Sequence, residues 1–148
     1  MSEFERCIKR GSLKPFTGAG TDVVSREFRA AQTDLADAEK LVELGMDKRT
    51  TITAYYAMFH AARAAVLQRG YVEKSHHCLL VAFRELCATT DEGHELASGI
   101  ERARVLRENA DYQGDFSHDA ADASVEVARR FVAFVEHIAK GTPEGTTS

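Results

Sequence analysis

The run Ala54-Tyr55-Tyr56-Ala57-Met58-Phe59-His60-Ala61-Ala62-Arg63-Ala64-Ala65-Val66-Leu67 places the tightest limit on what this chain can become. Its alanine, methionine and leucine favour helix, and the small alanine side chains let neighbouring helices approach closely. Ile52, Tyr55, Phe59, Ala62 and Val66 recur at spacings of three and four, which is one helix face. Tyr56, His60, Arg63 and Leu67 form a second row beside it, carrying polar tips. Thr50 or Thr51 is the expected N-cap and Gly70 the expected C′ residue. The stretch therefore reads as the central, nearly all-round buried helix of an all-α domain.

The flanking sequence supplies partners for such a helix. Asp22 to Leu44 carries Val24, Phe28, Ala31, Leu35, Ala38 and Val42 as a narrow stripe, charged residues opposite, and Gly45 at its end. A short turn then makes this helix and the central one antiparallel neighbours. A third helix is expected from about Ser75 to Ala88, with Leu79, Leu80, Phe83, Leu86 and Cys87 inward. A fourth starts near Asp91 with Leu96, Ile100, Ala103, Leu106 and Ala110 inward, despite the helix-weakening Gly99. A fifth follows Ser117 to Lys140, burying Ala121, Val125, Ala128, Val132, Val135 and Ile138, with Phe131 and Phe134 widening that face towards a partner surface. No period-two strand is convincing. The expected fold is an antiparallel up-and-down bundle of four to five helices over residues 22–140. It is preceded by a lead-in, 1–21, with a short helix near Glu3–Arg10, and followed by a disordered polar tail, 141–148.

Bulk properties narrow the function. A chain of 148 residues makes one domain with a real core. A net charge of −4 argues against a general polyanion binder, although a local basic patch remains compatible with it. No apolar run approaches the roughly 20 residues that span a bilayer, and a cytoplasmic protein is expected. Cys7, Cys78 and Cys87 contain no CxxC pair and leave one odd, which reads as reduced, buried thiols.

Enzyme signatures mostly fail. Gly18-Ala19-Gly20 lacks the lysine and hydroxyl residue of a phosphate loop. His94-Glu95 opens like a zinc-protease helix, but Ser98 stands where the second histidine belongs. Glu73 and His76 give one Glu-x-x-His where a di-iron bundle needs two. No metal and no cofactor is expected. The informative cluster is Tyr56, His60 and Arg63 beside Lys74, His76, Arg104, Arg107, Asp111 and Tyr112. Arg104, Arg107 and Asp111 share a helix face, and Arg107–Asp111 is a ready local pair. Two readings stand: a buried polar network that fixes helix register, or an anion pocket with Arg107 as bidentate donor and His60 or His76 tuning its charge.

Three segments carry a family resemblance. The central run Ala54 to Ala64, the helix opening Glu73-Lys74-Ser75-His76, and Leu106-Arg107-Glu108-Asn109-Ala110-Asp111-Tyr112 resemble the motifs of HEPN (higher eukaryote and prokaryote nucleotide-binding) domains, in the same order, across about Phe4 to Lys140. The resemblance implies a helical bundle, usually a homodimer. It also implies pairing with a minimal nucleotidyltransferase in a toxin–antitoxin-like system, and binding of a nucleotide or RNA. Many members are metal-independent endoribonucleases using Arg-x4–6-His. The matching arginine is Arg107, but the histidine positions hold Tyr112, Gln113 and Gly114. A phenol of pKa near ~10 is a poor general base at neutral pH. The leading expectation is thus a binding module with a degenerate catalytic motif (Arg107, Tyr112). The alternatives are an active nuclease using Arg107 with His60 or His76, Tyr112 as acceptor of a nucleotidyl group, and a non-catalytic scaffold.

Overall fold

The computed structural model describes residues 1–18, 22–114 and 116–147. Six helices and a two-stranded ribbon follow in order: α1 Glu3–Lys9, β1 Leu13–Pro15, α2 Asp22–Glu43, α3 Asp47–Gln68, β2 Tyr71–Glu73, α4 His76–Leu86, α5 Asp91–Tyr112 and α6 His118–Thr147. The fold is an all-α bundle, as its periodicities require. The expected tail, 141–148, lies outside the residues whose side chains are described, and Ala19 and Gly20 lie outside the described residues altogether.

Helix α3 is the axis. Among the described residues it alone contacts α2, α4, α5 and α6. Ala54, Ala57, Ala61, Ala62 and Ala65 are buried at those contacts, so backbones approach closely where a larger residue would hold them apart. Met46 N-caps α3 without a side-chain bond, which corrects the Thr50/Thr51 cap. Both threonines lie inside the helix and are buried. Thr50 Oγ1 donates to the Met46 carbonyl at 2.9 Å and Thr51 Oγ1 to that of Asp47 at 3.0 Å. Hydroxyls satisfied on their own helix leave no polar cost in the core. At the other end Gly70, at φ 93°, adopts the left-handed turn that releases the chain into β2.

Phe131 and Phe134 are buried core residues, not a partner surface. Phe131 stacks on Phe83 at 4.9 Å between centroids and Phe134 meets the same ring edge-on at 6.4 Å. Each such burial stabilises the fold by about 1.5–3 kcal/mol. Gly93 sits in the first turn of α5, where a Cβ would lie 2.8 Å from the Ala88 Cα, so the α4–α5 corner closes only on glycine.

The lead-in is more ordered than its glycines suggest. Ser2 and Glu5 form a reciprocal capping box on α1. β1 pairs antiparallel with β2, Leu13 opposite Glu73 and Pro15 opposite Tyr71, which corrects the absence of strands. Three-residue strands are too short for alternation to register in sequence. This ribbon carries α1 back onto α4, where Cys7 and Cys78 form a disulfide with Cα atoms 5.9 Å apart. The expectation of reduced thiols therefore holds only for buried Cys87.

Candidate anion site

Arg107 projects from α5 into the bundle and is 7% exposed. Its guanidinium carbon lies 5.3 Å from the Tyr55 ring centre and 5.8 Å from those of Tyr56 and Tyr112. The acids nearest it hold it loosely. Asp111 is 3.9 Å away and Glu108 4.0 Å, and both carboxylates are about two-fifths exposed, at 40% and 43%. Among the described residues Nε of Arg107 is buried without a hydrogen-bond partner. A buried donor left unmade costs about 1–3 kcal/mol, so this guanidinium has bonding capacity that the described residues do not use.

The surrounding groups are fixed by helix register. Tyr55 and Tyr56 come from α3, and Tyr112 ends α5 with 75% of its surface exposed. Ser75 N-caps α4 by accepting from the Cys78 N–H at 3.1 Å, which sets His76 as the first helical residue. His76 Nδ1 lies 3.1 Å from the Tyr55 hydroxyl, and its ring rests on Phe59 at 4.5 Å. Burial, followed by the positive fields of Arg104 and Arg107, pulls the His76 pKa below its ordinary 6.5, so the imidazole is neutral at pH 7. Burial likewise raises the Tyr55 phenol, which stays protonated and can share its hydrogen with His76. Arg104 adds a second guanidinium, one-third exposed and 3.6 Å from Glu108.

The nine residues singled out by sequence thus separate. Tyr56, His76, Arg104, Arg107, Asp111 and Tyr112 gather around the guanidinium. His60 and Arg63 instead engage a second network with α2 and β2: His60 Nδ1 is 2.9 Å from Glu27, and Arg63 is 3.1 Å from Glu27 and 3.2 Å from Glu73. Asp34 approaches His60 at 3.8 Å. Lys74 faces Lys14 on the exposed ribbon. Tyr55, Phe59 and Glu108 were not among the expected site residues. Tyr55 was legible in principle, because a buried tyrosine hydroxyl needs a partner. Glu27 and Asp34 were hidden by the assumption that the charged side of α2 is all solvent-facing. Among the described residues no group of three His, Cys, Asp or Glu is gathered to hold a metal ion.

A family model for the HEPN domain matches residues 24–138. The chain belongs to the HEPN domain family. This HEPN chain is 32% identical over 115 residues to a UPF0332 protein of Archaeoglobus fulgidus, covering 78% of this chain and 91% of that protein. It also superposes on the crystal structure of TT1696 from Thermus thermophilus. The TM-score is 0.63 and identity 18%, across 79% of this chain and 98% of that one, a likeness of fold. Among the described residues, no helix of the HEPN bundle is long and apolar enough to cross a membrane.

Proposed function

We propose that this HEPN protein is a binding module for the phosphate of a nucleotide or RNA, acting as a cytoplasmic homodimer alongside a minimal nucleotidyltransferase, its nuclease motif degenerate. The observation that carries the reading is the guanidinium of Arg107: buried, ringed by three tyrosines and, among the described residues, held by acids at 3.9–4.0 Å with Nε unpartnered. A phosphate oxygen meeting the guanidinium edge from the exposed Tyr112 side would give it the close anionic partner that Asp111 and Glu108 provide only at 3.9–4.0 Å. Exposed Tyr112 supplies a π-face for a base, an interaction of about 1–3 kcal/mol. Val105 and Tyr112, seven residues apart on α5, leave an exposed apolar strip beside the site that supports a second copy docking there. Titration calorimetry of wild type and Arg107→Ala with nucleoside monophosphates and a single-stranded RNA tests the binding. Equal, absent heat in both proteins removes it.

One observation favours a second reading, cleavage of RNA. His76 is coupled to Arg107 through Tyr55, whose hydroxyl it touches at 3.1 Å, whereas His60 is engaged by Glu27. A neutral imidazole is the form a general base requires, in the tautomer whose Nδ1–H donates to the Tyr55 oxygen and leaves the Nε2 lone pair free. Single-stranded RNA left intact by the purified protein, with and without its partner enzyme, rules this out.

A further inference from the structure

The Cys7–Cys78 bond ties α1 to the first turn of α4, and the contacts around it differ from those of an inert structural crosslink. Helix α1 packs on α4 and β1 and reaches Tyr71 of β2 through Phe4, with Cys7 as its buried residue. Apart from the disulfide, this seven-residue helix is held by Phe4, which packs on the core and meets Tyr71 at 5.5 Å, and by an exposed Glu3–His77 pair at 3.1 Å. An element so lightly held opens locally without global unfolding. Arg10 lies at the edge of the crosslink: its guanidinium reaches 3.2 Å from Cys78 Sγ and 3.6 Å from Cys7 Sγ, while the residue itself is exposed. Cys78 also stands in the N-terminal turn of an eleven-residue helix, whose dipole favours a thiolate. Cys7 and Cys78 are themselves fully buried, so a reductant reaches them when α1 opens. Cys87 is buried too but caps the C-terminal end of α4, and burial pushes its pKa up to about 11.

We infer that Cys7–Cys78 is an exchangeable redox site, opened by a dithiol reductant with Arg10 stabilising the departing Cys78 thiolate, and that its reduction releases α1 from α4. The chemistry balances as follows. A thiolate of the dithiol attacks Cys7 Sγ, a sulfur–sulfur bond forms between them, and the Cys7–Cys78 bond breaks with its electron pair leaving on Cys78. The second thiolate of the reductant attacks the mixed disulfide and releases Cys7. The reductant ends as a cyclic disulfide, oxidised by two electrons, and its two protons pass to the cysteines. The guanidinium near both sulfurs stabilises the reduced form, and its shorter contact together with the helix N-terminus makes the Cys78 sulfur the better leaving group. Neither argument depends on what the Arg107 site binds.

The full-length protein is treated with dithiothreitol under native conditions, alkylated and mapped by mass spectrometry. Without reductant, even denatured protein labels at Cys87 alone. With dithiothreitol, Cys7 and Cys78 label while Cys87 stays protected. Amide exchange across residues 3–9 then accelerates on the order of tenfold or more, while α3 is unchanged. The Arg10→Gln variant reduces several-fold more slowly. A Cys7→Ser, Cys78→Ser double variant reproduces the fast exchange of α1 without reductant. Three labelled cysteines in denatured, unreduced protein overturn the inference. So does labelling of Cys7 and Cys78 only together with Cys87, unchanged exchange in α1 after reduction, or Arg10→Gln reducing as fast as wild type.

Discussion

Replacing Arg107 by methionine separates a functional guanidinium from a structural pin. The substitution removes cation–π contacts that are not fully additive, worth about 0.5–1 kcal/mol at exposed Tyr112 and up to about 2 kcal/mol at buried Tyr55. It leaves Asp111 and Glu108 without their cation, but both are exposed enough to hydrate, so little is lost there. Against these losses stands relief of a buried charge and of the unpartnered Nε, itself about 1–3 kcal/mol. Methionine also fills most of the vacated space. The balance is a change in stability within about 1 kcal/mol, or about 2–4 °C in Tm for a chain of this size. Binding of a phosphate ligand should nevertheless fall by about ten- to a hundredfold, the loss of one charge-assisted hydrogen bond. Denaturant and thermal unfolding followed by circular dichroism, paired with calorimetric titration, give both quantities. If Arg107→Met loses more than about 3 kcal/mol, as breaking a well-made buried pair would, and still binds as wild type, Arg107 is a scaffold residue and the pocket reading is wrong.

Four further outcomes follow from the same geometry. Folded His76 holds its proton less tightly than unfolded His76, so the unfolded chain binds more protons below pH 6.5, and stability drops as pH falls through that value towards the lowered one; His76→Gln should flatten this part of a urea-unfolding pH profile. Protonation of His76 also adds positive charge beside Arg107, so calorimetric phosphate affinity should rise over the same acid window in wild type and not in His76→Gln. Tyr112→Ala should cost no more than about 1 kcal/mol of stability, because the exposed ring loses only its contact with Arg107, yet weaken nucleotide binding, with Tyr112→Phe restoring it in the same titration. Gly93→Ala should destabilise by about 1–3 kcal/mol, since the added methyl meets the Ala88 backbone at 2.8 Å, read from the denaturation midpoint.

The bundle was readable because long amphipathic periods survive translation into helices with little help from tertiary context. Ile100, Val125 and Phe83 sit inward as their spacing requires. Contacts between distant segments were not readable. Cys7 and Cys78 meet only because a six-residue ribbon, too short to display alternation, folds α1 back. At the site, Arg104, Arg107 and Asp111 were found because three-and-four spacing fixes their common face. His60 looked equivalent to Tyr56 on the adjacent row, but Glu27 and Asp34 of α2 capture it, and a helix's charged side does not reveal which charges turn inward. Phe131 and Phe134 misled for the opposite reason: an apolar face wider than a stripe was matched by Phe83 within the same chain.

The central claim is that one arginine inside the bundle is kept short of partners so that a phosphate can complete it. Side-chain nitrogen–proton spectra report this directly through the Arg107 Nε–Hε resonance, followed during titration with adenosine monophosphate. The account predicts that this resonance shifts together with those of Tyr55, His76 and Tyr112, saturably, while Arg63 near Glu27 does not move. An unmoved Arg107 resonance at saturating nucleotide, or shifts confined to the Arg63 network, would contradict it.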